Sequence, residues 1–248
     1  MRGGIWRAFF WGAFMAAVAV LLLIRFRPSA VFRLGRPPGV ALKGKESTLI
    51  KLPPPKTEGK VSVEEAIAKR RSRRAFHDEP LPLSILSQIL WSAQGITEPK
   101  LGFRAAPSAG ATYPLELYVV AGNVKGLKDG VYHYLPDGHS LECKVLGDLR
   151  EDLARACLYQ MWIAEAPFSV VIAAVYKRTT SHYGERGVRY VHMEVGHVGQ
   201  NIYLQAEALG LGTCAVGAFV DSEVKRILRL PHDEEPLYVM PVGKVREG

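Results

Sequence analysis

Seventeen consecutive residues, Ala8 to Ile24 (AFFWGAFMAAVAVLLLI), carry neither a charge nor a proline. A helix this apolar on every face has no side to offer water. At about 1.5 Å per residue the run extends roughly 25 Å, close to the ~30 Å hydrocarbon core of a bilayer. Trp6, Arg7, Arg25 and Phe26 bracket it, and these side chains are stable in the membrane interface. Residues 1–27 are therefore expected to form a transmembrane anchor. A cleaved signal peptide is the rival reading, but the run is followed by Arg25-Phe26-Arg27-Pro28, which lacks the small residues of a cleavage site. Two arginines precede the span and six basic residues follow it closely (Arg25, Arg27, Arg33, Arg36, Lys43, Lys45). By the positive-inside rule this gives a single-pass membrane protein whose main domain faces the cytoplasm.

The formal net charge of +8 invites a nucleic-acid reading. Its distribution removes that reading. Residues 1–60 hold eleven Lys/Arg against two acids, which leaves twenty-one basic and twenty-two acidic residues for the rest. The basicity belongs to the segment next to the membrane, where it can lie against anionic headgroups, and no nucleic-acid partner is expected. Residues 28–60 lack periodicity and contain Pro37-Pro38 and Pro53-Pro54-Pro55. They read as a stiff Pro/basic linker, with Ile50-Lys51-Leu52 equally able to form an edge strand. Residues 61–248 carry the globular domain. Cys143, Cys157 and Cys214 are too widely spaced for a metal site and read as buried thiols.

Within the domain, Ser62 followed by Glu65 has capping-box spacing and opens a helix ending near Arg71. Leu83 to Ala93 has helical periodicity, with Leu86, Ile89, Leu90 and Ala93 on one face. Leu115 to Val120 reads as a strand, and Val131–Leu135 with Leu141–Leu146 as a hairpin around Pro136-Asp137-Gly138-His139. Asp148 to Tyr159 reads as helix, and Pro167 to Val175 as a strand buried on both faces. Arg189 to Leu209 forms a long helix stopped by Gly210. Its stripe is Val191, Val195, Val198 and Ile202, and Gly196 and Gly199 allow close approach of another backbone. A short strand over Thr213–Ala218, a helix capped by Asp221 and a last strand over Leu237–Val242 complete the chain. Helices and strands interleave irregularly, which indicates an α+β fold.

Four segments could carry chemistry. Arg70-Arg71-Ser72-Arg73-Arg74 concentrates four guanidiniums and a hydroxyl. Arginine forks match phosphate oxygens, and a solvated basic patch is the alternative. Pro107-Ser108-Ala109-Gly110-Ala111-Thr112-Tyr113-Pro114 is a small-residue loop able to admit a flat ligand against its backbone. Gly210 to Phe219 is a second small-residue segment, and Lys244 and Arg246 stand at the end of the last strand. No nucleophile–base pair is evident. His192 and His197, five apart, are off the spacing of helical metal ligands, so no metal is expected and His197 reads as packed or polar-networked.

Arg-x-Ser-x-Arg before Ala-Phe, Pro-Ser-Ala-Gly-x-x-Tyr-Pro-x-Glu-x-Tyr, Gly-His-x-x-Gln-Asn at 196–201 and Ala-x-x-Leu-Gly-Leu-Gly at 206–212 together resemble the nitroreductase-like flavoprotein family, and within it the azoline-dehydrogenase (SagB-type) branch. The resemblance covers Val61 to Arg246. It implies an α+β sandwich, a central mostly antiparallel sheet flanked by helices, with FMN held at a homodimer interface. By position, Arg70, Arg71, Ser72 and Arg74 would contact the FMN phosphate, ribityl chain and pyrimidine edge. Pro107, Ser108 and Ala109 would line the ring from the partner subunit. Val216, Gly217 and Ala218 would lie near its N5 and O4, and Lys244 and Arg246 would close on the phosphate. The expected activity is an FMN-dependent oxidoreductase moving hydride between NAD(P)H, or a membrane quinone, and a small organic acceptor or azoline-type substrate. Tyr190 and His197 are candidate proton donors. Gly217 is small where some relatives carry Glu, and the few residues after Arg246 leave no long swapped arm to expect. A membrane-anchored flavin-binding sensor without turnover, and an idle homologue, are the alternatives.

Overall fold

The computed structural model describes residues 40–41 and 49–246. The apolar run Ala8–Ile24, its arginine brackets and most of residues 28–48 lie outside the described residues. Among the described residues no helix is long and apolar enough to cross a membrane. All described residues belong to the compact unit Pro37–Gly248.

In chain order the unit comprises β1 (Val40–Ala41), β2 (Leu49–Lys51), α1 (Val63–Lys69), β3 (Phe76–His77), α2 (Leu83–Gln94), β4 (Leu115–Ala121), β5 (Gly130–Leu135), β6 (Ser140–Leu146), α3 (Arg150–Ala156), α4 (Trp162–Glu165), β7 (Phe168–Ala174), α5 (Tyr176–Tyr183), α6 (Arg186–Ala208), β8 (Gly212–Thr213), α7 (Asp221–Leu228) and β9 (Glu235–Val245). Among the described residues these nine strands form one antiparallel sheet in the order β1-β6-β5-β4-β7-β9-β8, with β2 also on β6 and β3 also on β9. The α+β expectation with a mostly antiparallel sheet holds. The stretch read as linker contributes an edge strand: Leu49–Lys51 pairs with Ser140–Glu142.

β7 is central, and all seven of its residues are buried. Successive side chains alternate between faces, so Phe168, Val170, Ile172 and Ala174 join one core and Val171 and Ala173 the other. The first core holds Leu86, Ile89, Leu90 and Ala93 of α2 with Val191, Val195, Val198 and Ile202 of α6. The second holds Leu153 of α3, Ile163 of α4 and Val224, Ile227 and Leu228 of α7. A strand sandwiched by helices on both sides has no solvent face, and its sequence is correspondingly apolar apart from the buried Ser169.

Several boundaries differ from expectation for local reasons. The Ser62 hydroxyl accepts from the Glu65 amide (3.1 Å) and starts α1 as the capping pattern requires. Asp221, expected as a cap, is instead the first helical residue of α7, whose N-cap is Val220 without a side-chain cap. The helix expected over 148–159 stops at Ala156, where Leu158 and Tyr159 turn to positive φ. The strand expected over Thr213–Ala218 reduces to β8 and an isolated Val216–Val239 bridge. Gly196 and Gly199 also part company. A Cβ at Gly199 would meet Tyr238 and Met240 of this same chain at ordinary contact distance, whereas one at Gly196 would meet nothing within 4 Å. Only Gly196 lies on the exposed face of α6.

Ile172→Ala, at a fully buried site of the central strand, should destabilise the domain by about 2–5 kcal/mol, read as a lowered urea midpoint at unchanged slope.

Candidate functional site

The site begins at the end of α6. Gly210 takes φ +70, the Leu211 amide reaches the Ala206 carbonyl at 2.9 Å and the Gly210 amide the Glu207 carbonyl at 3.0 Å. These are the two bonds of a Schellman stop. Leu211 turns into the core, and Gly212-Thr213 run out as β8 against Gly243 and Val242 of β9. Gly212 and Gly243 are required by close approach: a Cβ on the first would sit 2.5 Å from Val245, and one on the second 2.9 Å from Pro167.

The arginine–serine segment lies alongside. Ser72 bridges Thr213 in parallel fashion, the Arg73 amide donates to the Thr213 carbonyl (3.0 Å), and the Arg246 amide donates to the Ala75 carbonyl (3.0 Å). β3 pairs Phe76 with Val245 and His77 with Lys244. The structure thus brings together three of the four expected pieces: Arg70–Arg74, Val216–Ala218 through the strand that precedes it, and Lys244 with Arg246. An open groove of about 750 Å³ runs between the first and last of these, lined by Arg73, His77, Glu79, Lys244 and Arg246 and by Glu207 at the end of α6; Val216–Ala218 do not line it.

Tyr203, which sequence reasoning did not single out, joins these pieces. From α6 its hydroxyl lies 2.9 Å from Ser72 Oγ and accepts the Ala215 amide at 2.8 Å. The Arg70 guanidinium lies over its ring, 5.1 Å from the centroid. A tyrosine next to the apolar residue Ile202 in a helix reads from sequence as part of the core stripe, and its distant partners leave no local signal.

The cations differ in their partners. Arg70, Arg71, Arg73 and Arg74 have no carboxylate within 4.0 Å among the described residues, and Arg71 donates only to the carbonyls of Ala68 and Arg70. Lys244 pairs with Glu79 at 2.5 Å and Arg246 with Glu165 at 3.1 Å, each pair about half exposed. The Glu79 carboxyl is held below its ordinary range by its hydrogen bond to Lys244. Pairs this open contribute at most about 1 kcal/mol, so an anion of higher charge can replace them. Val216 is buried in the second core, while Gly217 and Ala218 are exposed. A Cβ on Gly217 would meet only the Tyr238 ring, at 3.7 Å. Packing does not demand glycine there; its effect is to leave the surface beside β9 bare, as a flat ligand needs.

The fourth piece lies elsewhere. Ser108 begins a single 3₁₀ turn over Ala109–Ala111. Gly110, Ala111 and Tyr113 all have positive φ, a strained set. The Tyr113 amide donates to Ser108 Oγ (2.9 Å), Arg178 donates to the Tyr113 carbonyl (2.9 Å), and Thr112 and Thr179 hydroxyls meet at 2.8 Å. Beneath this loop Glu194 of α6 is 2% exposed. Burial pushes its carboxyl pKa up, opposed by hydrogen bonds from Ser108 and Gln94 and by the charge of Arg104. Glu194 and Tyr203 are nine residues apart on one helix, hence about 14 Å along its axis and half a turn around it. Pro107, Ser108 and Ala109 therefore flank the face of α6 opposite to the one that meets Ser72. Tyr190 is half-buried with its ring edge-to-face on Tyr183 (5.1 Å). His197, expected to be packed or polar-networked, is exposed and makes no side-chain hydrogen bond among the described residues. His192 bonds to Tyr176 at 2.6 Å. No group of three His, Cys, Asp or Glu side chains among the described residues could hold a metal ion. Cys157 and Cys214 are buried and Cys143 half-buried, and burial pushes the Cys157 thiol up to about 12.

A raised Glu194 pKa means that the folded chain holds a proton the unfolded chain gives up. Stability at this site is therefore lost as pH rises above the ordinary carboxylate range. Glu194→Gln keeps the shape and removes the buried charge. Its Tm should exceed that of the parent chain at pH 7 and converge with it near pH 4, measured by thermal melts across that range.

Comparison with known proteins places this geometry among relatives. The profile described as "Nitroreductase family" matches residues 67–244. A Methanocaldococcus jannaschii protein described as a nitroreductase is 52% identical over 184 residues, 74% of this chain and 91% of its own. The microcin B17-processing protein McbC of Escherichia coli is 28% identical over 180 residues, 67% of this chain and 64% of its own. A crystal structure of a nitroreductase-type protein from Ralstonia eutropha superposes with a TM-score of 0.72 at 28% identity, covering 85% of this chain and all of the other.

Proposed function

Because the chain belongs to the nitroreductase family, we propose that it is an FMN-dependent oxidoreductase, homodimeric and held at the cytoplasmic face of a membrane by residues 1–27, with residues 28–60 linking the anchor to the domain over 61–248. The observation that supports the reading is that the β3–β9 pairing brings the end of the arginine–serine segment against the C-terminal cations, so that Arg73, Lys244 and Arg246 line one groove. A dianionic phosphate offsets the mutual repulsion of these cations. The bound flavin supplies the hydride and electron chemistry.

The protein's contribution is binding and positioning. Arg70, Arg71, Ser72, Lys244 and Arg246 hold the phosphate and ribityl chain. Arg74 sets a positive charge at the pyrimidine edge, where it favours negative charge. Val216, Gly217 and Ala218 flank the ring edge. Pro107, Ser108 and Ala109 lie on the other side of α6, so the ring face they line belongs to the second copy. The exposed face of α6 supports that assembly: Met193 is 53% and Val188 40% exposed, and Gly196 between them and His197 has open space above it. Tyr190 and His197 are the candidate proton donors, and Tyr190, the half-buried one, is the better placed to stay ordered. Toward a small organic acceptor the electron donor is NAD(P)H or a reduced membrane quinone; an azoline substrate is itself the two-electron donor, becoming an azole while an oxidised quinone takes the electrons from the flavin. For the substrate, likeness to a microcin-processing protein favours an azoline in a peptide, the SagB-type reaction, beside a small organic acceptor.

The full chain purified in detergent should be yellow, with the visible absorption of oxidised flavin, and should bleach on mixing with NADH or NADPH. A colourless protein that takes up no FMN overturns the reading, and bound flavin that no donor reduces reduces it to a binding module. Lys244→Ala should weaken FMN by about 10- to 100-fold, the worth of one charged contact, in a fluorescence titration.

Light scattering of the protein component should give twice the 27.4 kDa chain mass. Gly196→Arg, whose Cβ meets nothing within 4 Å in its own chain, should yield a folded monomer depleted of flavin.

A further inference from the structure

Among the described residues, Tyr203 is the side chain that touches both the arginine–serine segment and the turn after β8, and hydrogen-bond accounting assigns it a direction. A phenol has one proton and two acceptor positions. The Ala215 N–H can only donate, so it fills one acceptor position at 2.8 Å. Were Ser72 also to donate across its 2.9 Å contact, the phenol proton would need a third partner, and the described residues offer none. Either way one hydroxyl hydrogen has no protein partner, so exposure decides: Tyr203 is half-buried and Ser72 exposed. With Tyr203 donating to Ser72 Oγ, the spare hydrogen sits on Ser72, where water or a ligand reaches it. Ser72 lies in the same exposed segment as Arg71, Arg73 and Arg74.

We propose that Tyr203 is a positioning residue: by donating to Ser72 while accepting from Ala215, it commits the Ser72 hydroxyl to donate outward to a phosphate oxygen of the mononucleotide. The ring beneath Arg70, 5.1 Å from its guanidinium carbon, steadies the neighbouring cation by a cation–π contact. The same phenol ties the backbone that leads to Gly217 to the backbone that carries Ser72. The inference rests on the flavin reading and adds to it a residue and a hydrogen-bond polarity.

The test uses the full chain in detergent, stripped of flavin, in four forms: parent, Tyr203→Phe, Ser72→Ala and the double variant. Each is titrated with FMN, with riboflavin and with inorganic phosphate as competitor. Ser72→Ala should weaken FMN about tenfold or more, as expected for a hydrogen bond to a charged group. Tyr203→Phe should cause most of that loss, and the double variant should be within about twofold of Ser72→Ala, because two residues acting through one bond are not additive. Riboflavin affinity should stay within about twofold throughout, phosphate should compete less well in both single variants, and the Ala215 amide should exchange faster in flavin-free Tyr203→Phe. Ser72→Thr keeps the hydroxyl and should retain FMN affinity to within about threefold, a check that does not depend on how the Phe variant folds. Parent-like FMN affinity in Tyr203→Phe, losses that multiply in the double variant, equal losses for riboflavin, or a Ser72→Thr as weak as Ser72→Ala would each overturn the proposal. A parent chain that binds no FMN at all removes the flavin reading and this inference with it; a parent that binds FMN beside an unaffected Phe variant removes this inference alone.

Discussion

Two backbone pairings, Val245 with Phe76 and Lys244 with His77, hold the candidate site together. They join segments from opposite ends of the domain, and both segments are rich in positive charge. Nothing electrostatic recommends that union. It is maintained by burial: Phe76 is 1% exposed, stands 6.2 Å from the Trp162 ring, and packs against a Gly243 that has no room for a side chain. Fully burying a phenylalanine contributes about 1.5–3 kcal/mol, more than screened repulsion between solvent-exposed guanidiniums removes. The core thus enforces a concentration of charge that the surface alone would disperse, and this is the condition for an anion site.

Much of this was legible in the residues themselves. The largely apolar run of β7, the Ser62 cap, the α6 stripe and the Gly210 stop each act through neighbours in sequence, and each appears where local chemistry puts it. The arginine–serine and C-terminal cations could be named as a site, but their adjacency could not, because it depends on β3 and β9 being paired. Tyr203 stayed hidden for the same reason: its partners, Ser72 and Ala215, are fixed by the tertiary fold. Gly199 misled because helical glycines look alike in sequence, and only packing shows that one faces Tyr238 while Gly196 faces out. The strand expected over 213–218 failed since β9 offers β8 only two residues before the chain bends away, rejoining at Val216. His197 was expected to be packed or polar-networked and is on the surface, three residues beyond Glu194, the polar residue that is in fact buried.

α6 gives the site its geometry. It is a straight scaffold of 23 residues, and it carries Glu194 and the strained loop on one face and Tyr203 with the arginine segment on the other. A single chain cannot wrap both faces around one flat molecule. In the proposed homodimer, two copies meeting along the exposed stripe around Gly196 would do so, each contributing a loop to the other's groove.

The pairs Lys244–Glu79 and Arg246–Glu165 have a further bearing on how any phosphate ester arrives. In the proposed site it would meet guanidiniums without carboxylates and two cations, Lys244 and Arg246, that already hold them; those two carboxylates it would displace, as a mobile ion does on an exchange resin. The net change in local charge is smaller than a count of arginines suggests, and the released glutamates end up facing water at the rim. Capture of this kind discriminates by valence: a monoanion gains nothing over the carboxylate it evicts, while a dianion does.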